Sequence, residues 1–197
     1  MKMFRAAALT TAALCVSIVS ITAAAAAPVA PAFLSAAQLP AASTPWQADP
    51  VRPGAAADVC TRGIAPRAGS RHREFRTELD TTARQTITVA ASESKAKALA
   101  TKLRGSVESC LDRLKERYPT LEGEAFHHGR INVEEGAHVY SIDTSDTEIG
   151  STDISLYSVG RDGKAVTVIV WGQLGDLDGA PLEGFKKTTR TAVAKLY

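Results

Sequence analysis

The sequence DISLYSVGRDGKAVTVIVW, residues 153–171, predicts a β-hairpin and with it an antiparallel sheet. Strand-like segments at 153–159 and 165–171 flank Arg161-Asp162-Gly163, and an Asp-Gly pair tolerates the positive φ angles that tight hairpin turns need. The second segment carries Val166, Val168 and Val170 on one side and Ile169 and Trp171 on the other. Because it is apolar on both sides, we expect it to be a central strand.

Periodicity elsewhere in the chain predicts four more strands and two helices. The strand-like segments are 74–79, 84–89, 126–133 and 137–142. An apolar stripe predicts a helix that Ser92 caps and Pro119 stops, with Gly105 as a possible bend. Pro181 opens a second amphipathic helix that runs to the chain end. The order ββαββββα indicates an α+β fold, a mostly antiparallel sheet with both helices packed on one face.

The N-terminus has the layout of a secretory signal peptide, residues 1–27. Lys2 and Arg5 precede a run without charge that ends in small residues, as signal peptidase sites do. The stretch is also long enough to be an uncleaved anchor, although its Ala-rich composition favours cleavage. Cys15 lies inside the apolar run after Ala-Ala-Leu, which is not a lipid-attachment pattern. We therefore expect a secreted protein in the extracellular space or cell envelope, without a stable membrane span after cleavage.

Two cysteines follow the signal segment, Cys60 and Cys110. In an oxidising compartment they predict one disulfide bond. Closing a loop of about 50 residues would stabilise the fold by about 4 kcal/mol in the chain-entropy model. Free or redox-active thiols are the alternative, but the chain has no C-x-x-C motif. We interpret the pair as structural.

The charge of the chain gives no reason to expect a nucleic-acid partner. The sequence has 23 Lys+Arg and 21 Asp+Glu, and the excess consists of Lys2 and Arg5 in the signal segment. The remaining charge is balanced but uneven, because five arginines crowd residues 62–76 while residues 131–160 carry acids and no Lys or Arg. We expect these to be solvated faces that attract each other in the fold.

Between the signal segment and the domain lies a stretch rich in Ala and Pro, residues 28–58. It predicts an extended arm or linker. Residues 33–40 inside it favour a short helical turn, and Trp46 is a large apolar side chain that we expect to dock on the domain. Residues 59–197 then form a single α+β domain of ordinary size.

No catalytic or cofactor motif is complete. Ser92-Glu93-Ser94-Lys95 matches S-x-x-K, but its companion motifs are missing, so a helix cap is the better interpretation. Asp143-Thr144-Ser145-Asp146-Thr147 resembles a metal-ion-dependent adhesion site, which an antiparallel sheet does not support, and such residues crowd ordinary turns. We expect no enzyme activity and no cofactor.

The histidines give only a weak indication of a metal site. Neighbouring residues on a strand point to opposite faces, so His127 and His128 cannot bind one ion together. One of them could join His138 and Glu134 or Glu135 around zinc across a hairpin. These histidines are not accompanied by a cysteine ligand pattern or an H-E-x-x-H motif, so we predict no metal site.

The layout of the exported part resembles the PknH-like extracellular sensor domains of actinobacteria. The matching features are Phe33–Pro40 with Trp46, then Cys60, the Cys110-bearing helix after a β pair, and residues 153–171 before a C-terminal helix. The resemblance covers most of residues 33–197. It implies a ligand-binding cleft on a mixed sheet and no catalysis.

We therefore expect a secreted, non-catalytic sensor-like domain that binds a small molecule or a cell-envelope component. A secreted protein-binding or inhibitor module is the alternative, and a cell-envelope hydrolase is a further one. For the binding cleft we predict convergence of Tyr140, Tyr157, Trp171 and Gln173, large or polar side chains on three of the predicted strands and just beyond.

Overall fold

The structure is a computed structural model that describes residues 30–197. The predicted signal peptide, residues 1–27, lies outside the described residues. In chain order the strands and α-helices are β1 Gln47–Ala48, β2 Arg52–Pro53, β3 Ser70–Arg76, β4 Thr82–Val89, α1 Glu93–Glu108, α2 Cys110–Arg117, β5 Leu121–Ile131, β6 Ala137–Asp146, β7 Ser151–Asp162, β8 Ala165–Leu174 and α3 Leu182–Ala194.

The strands form one antiparallel sheet in the order β1-β3-β4-β8-β7-β6-β5, with β2 also paired to β3. The predicted hairpin is β7–β8, in which Asp162 pairs with Ala165. Gly163 in its turn has a φ of 50°, which glycine adopts without strain. The α+β fold and the mostly antiparallel sheet are confirmed, and β8 is central as expected.

The two long helices lie on opposite faces of this sheet, so the expectation that both pack on one face is wrong. Leu103 and Val107 of α1 pack with the valines of β8, whereas Phe185 and Val193 of α3 pack with Ile169 and Trp171. A central strand that is apolar on both sides needs a cover on each side. The alternation within β8 therefore accounts for the three-layer arrangement.

The first predicted helix begins where expected but consists of two helices. The Ser92 hydroxyl accepts a hydrogen bond from the backbone amide of Lys95, which confirms the cap and gives the S-x-x-K match a structural role. The break falls at Ser109 rather than at Gly105. The Ser109 hydroxyl donates to the carbonyl of Gly105 at 2.8 Å, a side-chain bond that competes with regular helix geometry.

The segment predicted as an arm packs on the domain from Ala32 onward, where the backbone amide of Ala32 donates to the carbonyl of Lys195. Leu34 is fully buried and Leu39 is buried beside it in the core under α3. The backbone amide of Leu34 donates to Oε1 of Gln85, and Trp46 Nε1 donates to the carbonyl of Pro40. The hydrophobic core therefore includes residues on both sides of the boundary that we expected between residues 58 and 59.

A disulfide joins Cys60 to Cys110, as predicted, with the two Cα atoms 5.2 Å apart. Cys110 opens α2, and Cys60 lies in the loop before β3. The Ser106 hydroxyl and the Arg113 guanidinium both donate to the carbonyl of Cys60. The bridge therefore fixes the loop at residues 57–62 against the helices on one face of the sheet.

The basic and acidic stretches do not pair with each other. Residues 62–76 precede and form β3 near one edge of the sheet, while the acids of residues 131–160 lie around β6 and β7 in the other half. Among residues 30–197 the ion pairs are Arg76–Asp49, Arg161–Glu135 and Lys186–Glu183. No ion pair among residues 30–197 joins the two stretches, because the strand order places most of their residues in different halves of the sheet.

Candidate functional site

The four residues predicted to share a cleft are divided between the two faces of the sheet. Tyr140 and Tyr157 are register partners on β6 and β7 and pack on the α1 side. Trp171 lies in the core on the α3 side and is 1% exposed. Gln173, two residues further along β8, donates weakly to the carbonyl of Gly179. The predicted convergence of all four is therefore wrong.

A cleft of about 580 Å³ opens over the sheet next to Tyr157. Its volume falls in the range of small-molecule sites in proteins, about 300–1,000 Å³. Its lining residues are Ala57, Asp58, Val59, Arg62, Asp80, Thr82, Arg84, Asp153, Ile154, Ser155, Tyr157, Val170, Gly172, Gln173 and Leu174. Tyr157 and Gln173 are thus the two predicted residues that do line it.

Small side chains on neighbouring strands form the floor of the cleft. Gly172 of β8 pairs with Thr82 of β4 on one side and with Ser155 of β7 on the other. A Cβ atom at Gly172 would meet the Ile154 carbonyl and the Ser155 hydroxyl at 3.5 Å, which is ordinary contact. The absence of large side chains at this row therefore leaves the space above it open.

The loop at residues 57–62 forms a wall, and Asp58 holds its shape. One carboxylate oxygen of the buried Asp58 accepts hydrogen bonds from the amides of Cys60 and Thr61 at 2.9 and 3.0 Å. The other accepts one from the Tyr157 hydroxyl at 3.3 Å. Arg84 on β4 donates to the carbonyl of Ala57. Together with the disulfide, these bonds attach the wall to the sheet.

The cleft presents side chains of both charges to a ligand. The side chains of Arg62 and Asp153 are exposed and form no hydrogen bond or ion pair within residues 30–197. Asp80 is already used, since its carboxylate accepts a bond from the amide of Leu174 at 2.8 Å. Val59 and Leu174 add exposed apolar surface at 47% and 58%. The lining suits a polar ligand of mixed charge with a small apolar portion.

Both tyrosines of the α1 side are held neutral. Burial, and then the neighbouring Asp58 carboxylate, raise the pKa of Tyr157. Burial, and then the hydrogen bond to Glu108 at 2.9 Å, raise the pKa of Tyr140. Each hydroxyl therefore acts as a hydrogen-bond donor, and only that of Tyr157 lies at the cleft.

Three histidines lie away from the cleft near the edge of the sheet formed by β5 and β6. His127 Nε2 and His138 Nδ1 are 3.0 Å apart and their rings stack. His128 points to the opposite face, where its Nε2 is 2.8 Å from the Ser141 hydroxyl, as the strand argument predicted. Within residues 30–197 no group of three or more metal-ligating side chains of His, Cys, Asp and Glu is found.

The protonation pattern of the histidine pair follows from its neighbours. Arg104 donates to His138 Nε2 at 2.9 Å, and because a guanidinium can only donate, Nε2 must be the acceptor. The proton of a neutral His138 therefore lies on Nδ1 and points to His127. Burial, followed by the charge of Arg104, lowers the pKa of His138. Burial and the charge of Lys186 also lower the pKa of His128.

Sequence reasoning missed most of the cleft, notably Asp58, Arg62, Arg84 and Asp153. One feature of the sequence could have indicated the floor of the cleft. Ser155 on β7 and Gly172 on β8 stand where the apolar alternation of these two strands would otherwise place a large apolar side chain. A signal for its wall was the predicted disulfide, which had to bring the neighbours of Cys60 close to the helix.

No protein-family model and no curated protein matches this chain. Among residues 30–197 there is no helix with the length and apolar character that crossing a membrane requires.

Proposed function

We propose that this protein is a secreted, non-catalytic binding domain that holds a small polar molecule or a cell-envelope fragment in the cleft beside Tyr157. The observation that carries the proposal is the cleft itself, with its floor of small residues and its wall attached by a disulfide. A wall that is already fixed loses little entropy when a ligand binds, which favours affinity.

The chemistry of the lining supports binding rather than hydrolysis by a serine or cysteine nucleophile. The cleft residues include no histidine and no cysteine, so a serine or cysteine nucleophile with a histidine base is not formed from them. Arg62 and Asp153 offer one positive and one negative group to a ligand. Short peptides and amino-sugar peptides of cell envelopes carry both charges, and we favour them over apolar ligands.

The test is thermal melting of the oxidised protein against a muropeptide that carries a free amine and a carboxylate, free amino acids, short peptides and divalent ions with chelator controls. A ligand at about one hundred times its Kd adds about 2.7 kcal/mol to the free energy of unfolding and raises Tm visibly. Gly172→Leu should abolish the shift, because the new side chain enters the cleft while its Cβ meets only ordinary contacts.

Gly105→Leu is the matched control, because a Cβ there meets no atom within 4 Å and Gly105 does not line the cleft. It should retain the ligand-induced shift. A shift that survives in Gly172→Leu would contradict binding in this cleft and place the ligand elsewhere. A panel without any shift would also contradict it and would favour the protein-binding alternative.

A further inference from the structure

A second, smaller pocket lies at the other end of β7, next to α1. Its volume is about 170 Å³, and no residue lines both this pocket and the cleft. The lining residues are Lys97, Ala100, Thr101, Arg104, Arg130, Glu135, Gly136, His138, Val159, Gly160 and Arg161. Four of these side chains are cationic and one is a carboxylate, which makes the pocket strongly basic.

The single carboxylate in the lining is already engaged. Glu135 Oε1 accepts from Arg161 at 3.2 Å, and its Oε2 accepts from the backbone amide of Gly163 at 2.9 Å. It can therefore balance the charge of Arg161, but it leaves three other cations. Within residues 30–197, Lys97, Arg104 and Arg130 form no ion pair.

Neutral acceptors hold the two uncompensated arginines in place. Arg104 donates to His138 Nε2 at 2.9 Å and to the Thr101 hydroxyl at 3.3 Å. Arg130 donates to Asn132 Oδ1 at 2.6 Å and to the carbonyl of Glu135 at 3.1 Å. These bonds orient the guanidinium groups without cancelling their charge, as in sites where arginines bind oxyanions.

A glycine provides the space for one of these arginines. Gly136 has a φ of 101°, and a Cβ atom there would come within 2.4–2.7 Å of the Arg130 guanidinium. Ala100 of α1 contributes another small side chain to the lining. A water molecule occupies about 30 Å³ in the liquid, so the pocket has room for a group of a few heavy atoms rather than for a polymer.

We propose that this pocket binds a tetrahedral oxyanion, namely phosphate or the phosphate group of a larger ligand, between Lys97, Arg104 and Arg130. At neutral pH a phosphate carries a charge of about −1.5 to −2, which compensates most of the charge of the three cations, and it has acceptor oxygens for all three. The proposal is independent of the cleft and goes beyond the proposed function.

The test is titration of the protein with inorganic phosphate at low ionic strength, followed by calorimetry and ³¹P NMR line width. Acetate at matched ionic strength is the control anion. We expect saturable binding of phosphate that Arg130→Gln and Lys97→Gln each weaken by about tenfold, since each removes one charge-assisted contact. The matched control is Arg190→Gln, an exposed arginine on α3 that does not line the pocket, and it should bind as the unaltered protein does.

Vesicles distinguish the possible sources of the phosphate. Sedimentation with phosphatidic acid in phosphatidylcholine, lost in Arg130→Gln, would assign the group to a lipid headgroup. Binding of free phosphate without vesicle binding would assign it to a soluble ligand. Absence of any phosphate binding at millimolar concentration overturns the proposal. So does binding that Arg130→Gln and Arg190→Gln weaken equally, because general surface charge would then explain it.

Discussion

The side-chain carbonyl of Gln85 accepts a hydrogen bond of 2.8 Å from the backbone amide of Leu34, fifty-one residues earlier in the chain. Gln85 is fully buried, and its amide nitrogen donates to the Thr167 hydroxyl at 3.1 Å. One side chain thus connects the N-terminal segment, β4 and the central strand β8. A buried amide in this position stabilises the fold only while both of its partners are present.

Replacing Gln85 with leucine should lower the free energy of unfolding by about 2–4 kcal/mol, because the Leu34 amide and the Thr167 hydroxyl lose their partner inside the core. Urea unfolding measures the loss. Gln47→Leu is the control, since Gln47 lies exposed on β1 and should change stability little. Equal stability of the two variants would show that the segment is not attached through Gln85.

Replacing Gly105 with alanine should raise the free energy of unfolding by about 1 kcal/mol, because glycine is that much less favourable than alanine inside a helix. Gly105 is exposed within α1, and the new Cβ would meet no atom within 4 Å. Thermal or urea unfolding tests this. A destabilised variant would mean that the helix needs the freedom of glycine here, as a bend at this residue would require.

The local elements were largely predictable from the sequence, and the reason is periodicity. The hairpin around Gly163, the Ser92 cap and the Cys60–Cys110 bridge each depend on a few neighbouring residues or on a single possible pairing. The positions of the helices relative to the sheet depend instead on long-range packing. Even so, the apolar alternation on both sides of β8 already required two covered faces.

The candidate site was harder to predict because it depends on strand register. Trp171 pairs with Leu156, and therefore it shares the α3 face with that residue rather than the α1 face with Tyr157. Neighbouring residues on a strand point to opposite faces of the sheet. An error of one residue in the predicted register would therefore move a side chain from the cleft into the core on the other face, or the reverse. The loop residue Asp58 could not be placed from periodicity, since loops have none.

The stability of the protein should fall as pH is lowered from about 7.5 to about 5.5. The pKa values of His138 and His128 lie below the ordinary 6.5 in the folded state, chiefly because of burial. The unfolded chain therefore binds protons more readily near that pH, so the stabilisation is present above it and is lost as pH falls through it. Around His138 the charged groups are Arg104, Arg130, Glu108 and His127.

Urea unfolding at the two pH values measures this dependence. His138→Gln should reduce it, because glutamine can still accept from Arg104 and donate to His127 but does not titrate. The double variant His128→Gln/His138→Gln should reduce it further. An unfolding free energy that is the same at both pH values in the unaltered protein would contradict the assignment of a neutral, partly buried His138.

Replacing both cysteines of the bridge with serine should lower the free energy of unfolding by about 2–4 kcal/mol, because the unfolded chain regains the freedom of a loop of some fifty residues. Urea unfolding measures the loss.

The same variant should weaken ligand binding in the cleft without changing phosphate binding in the basic pocket. The loop at residues 57–62 forms a wall of the cleft but contributes nothing to the basic pocket. In protein that is still folded, the ligand that gives the largest thermal shift should bind more weakly, while phosphate binding stays unchanged. Circular dichroism confirms folding, and calorimetry measures both affinities. Parallel loss of both would show that the bridge also supports α1, which carries Lys97 and Arg104 of the pocket, rather than the wall of the cleft alone.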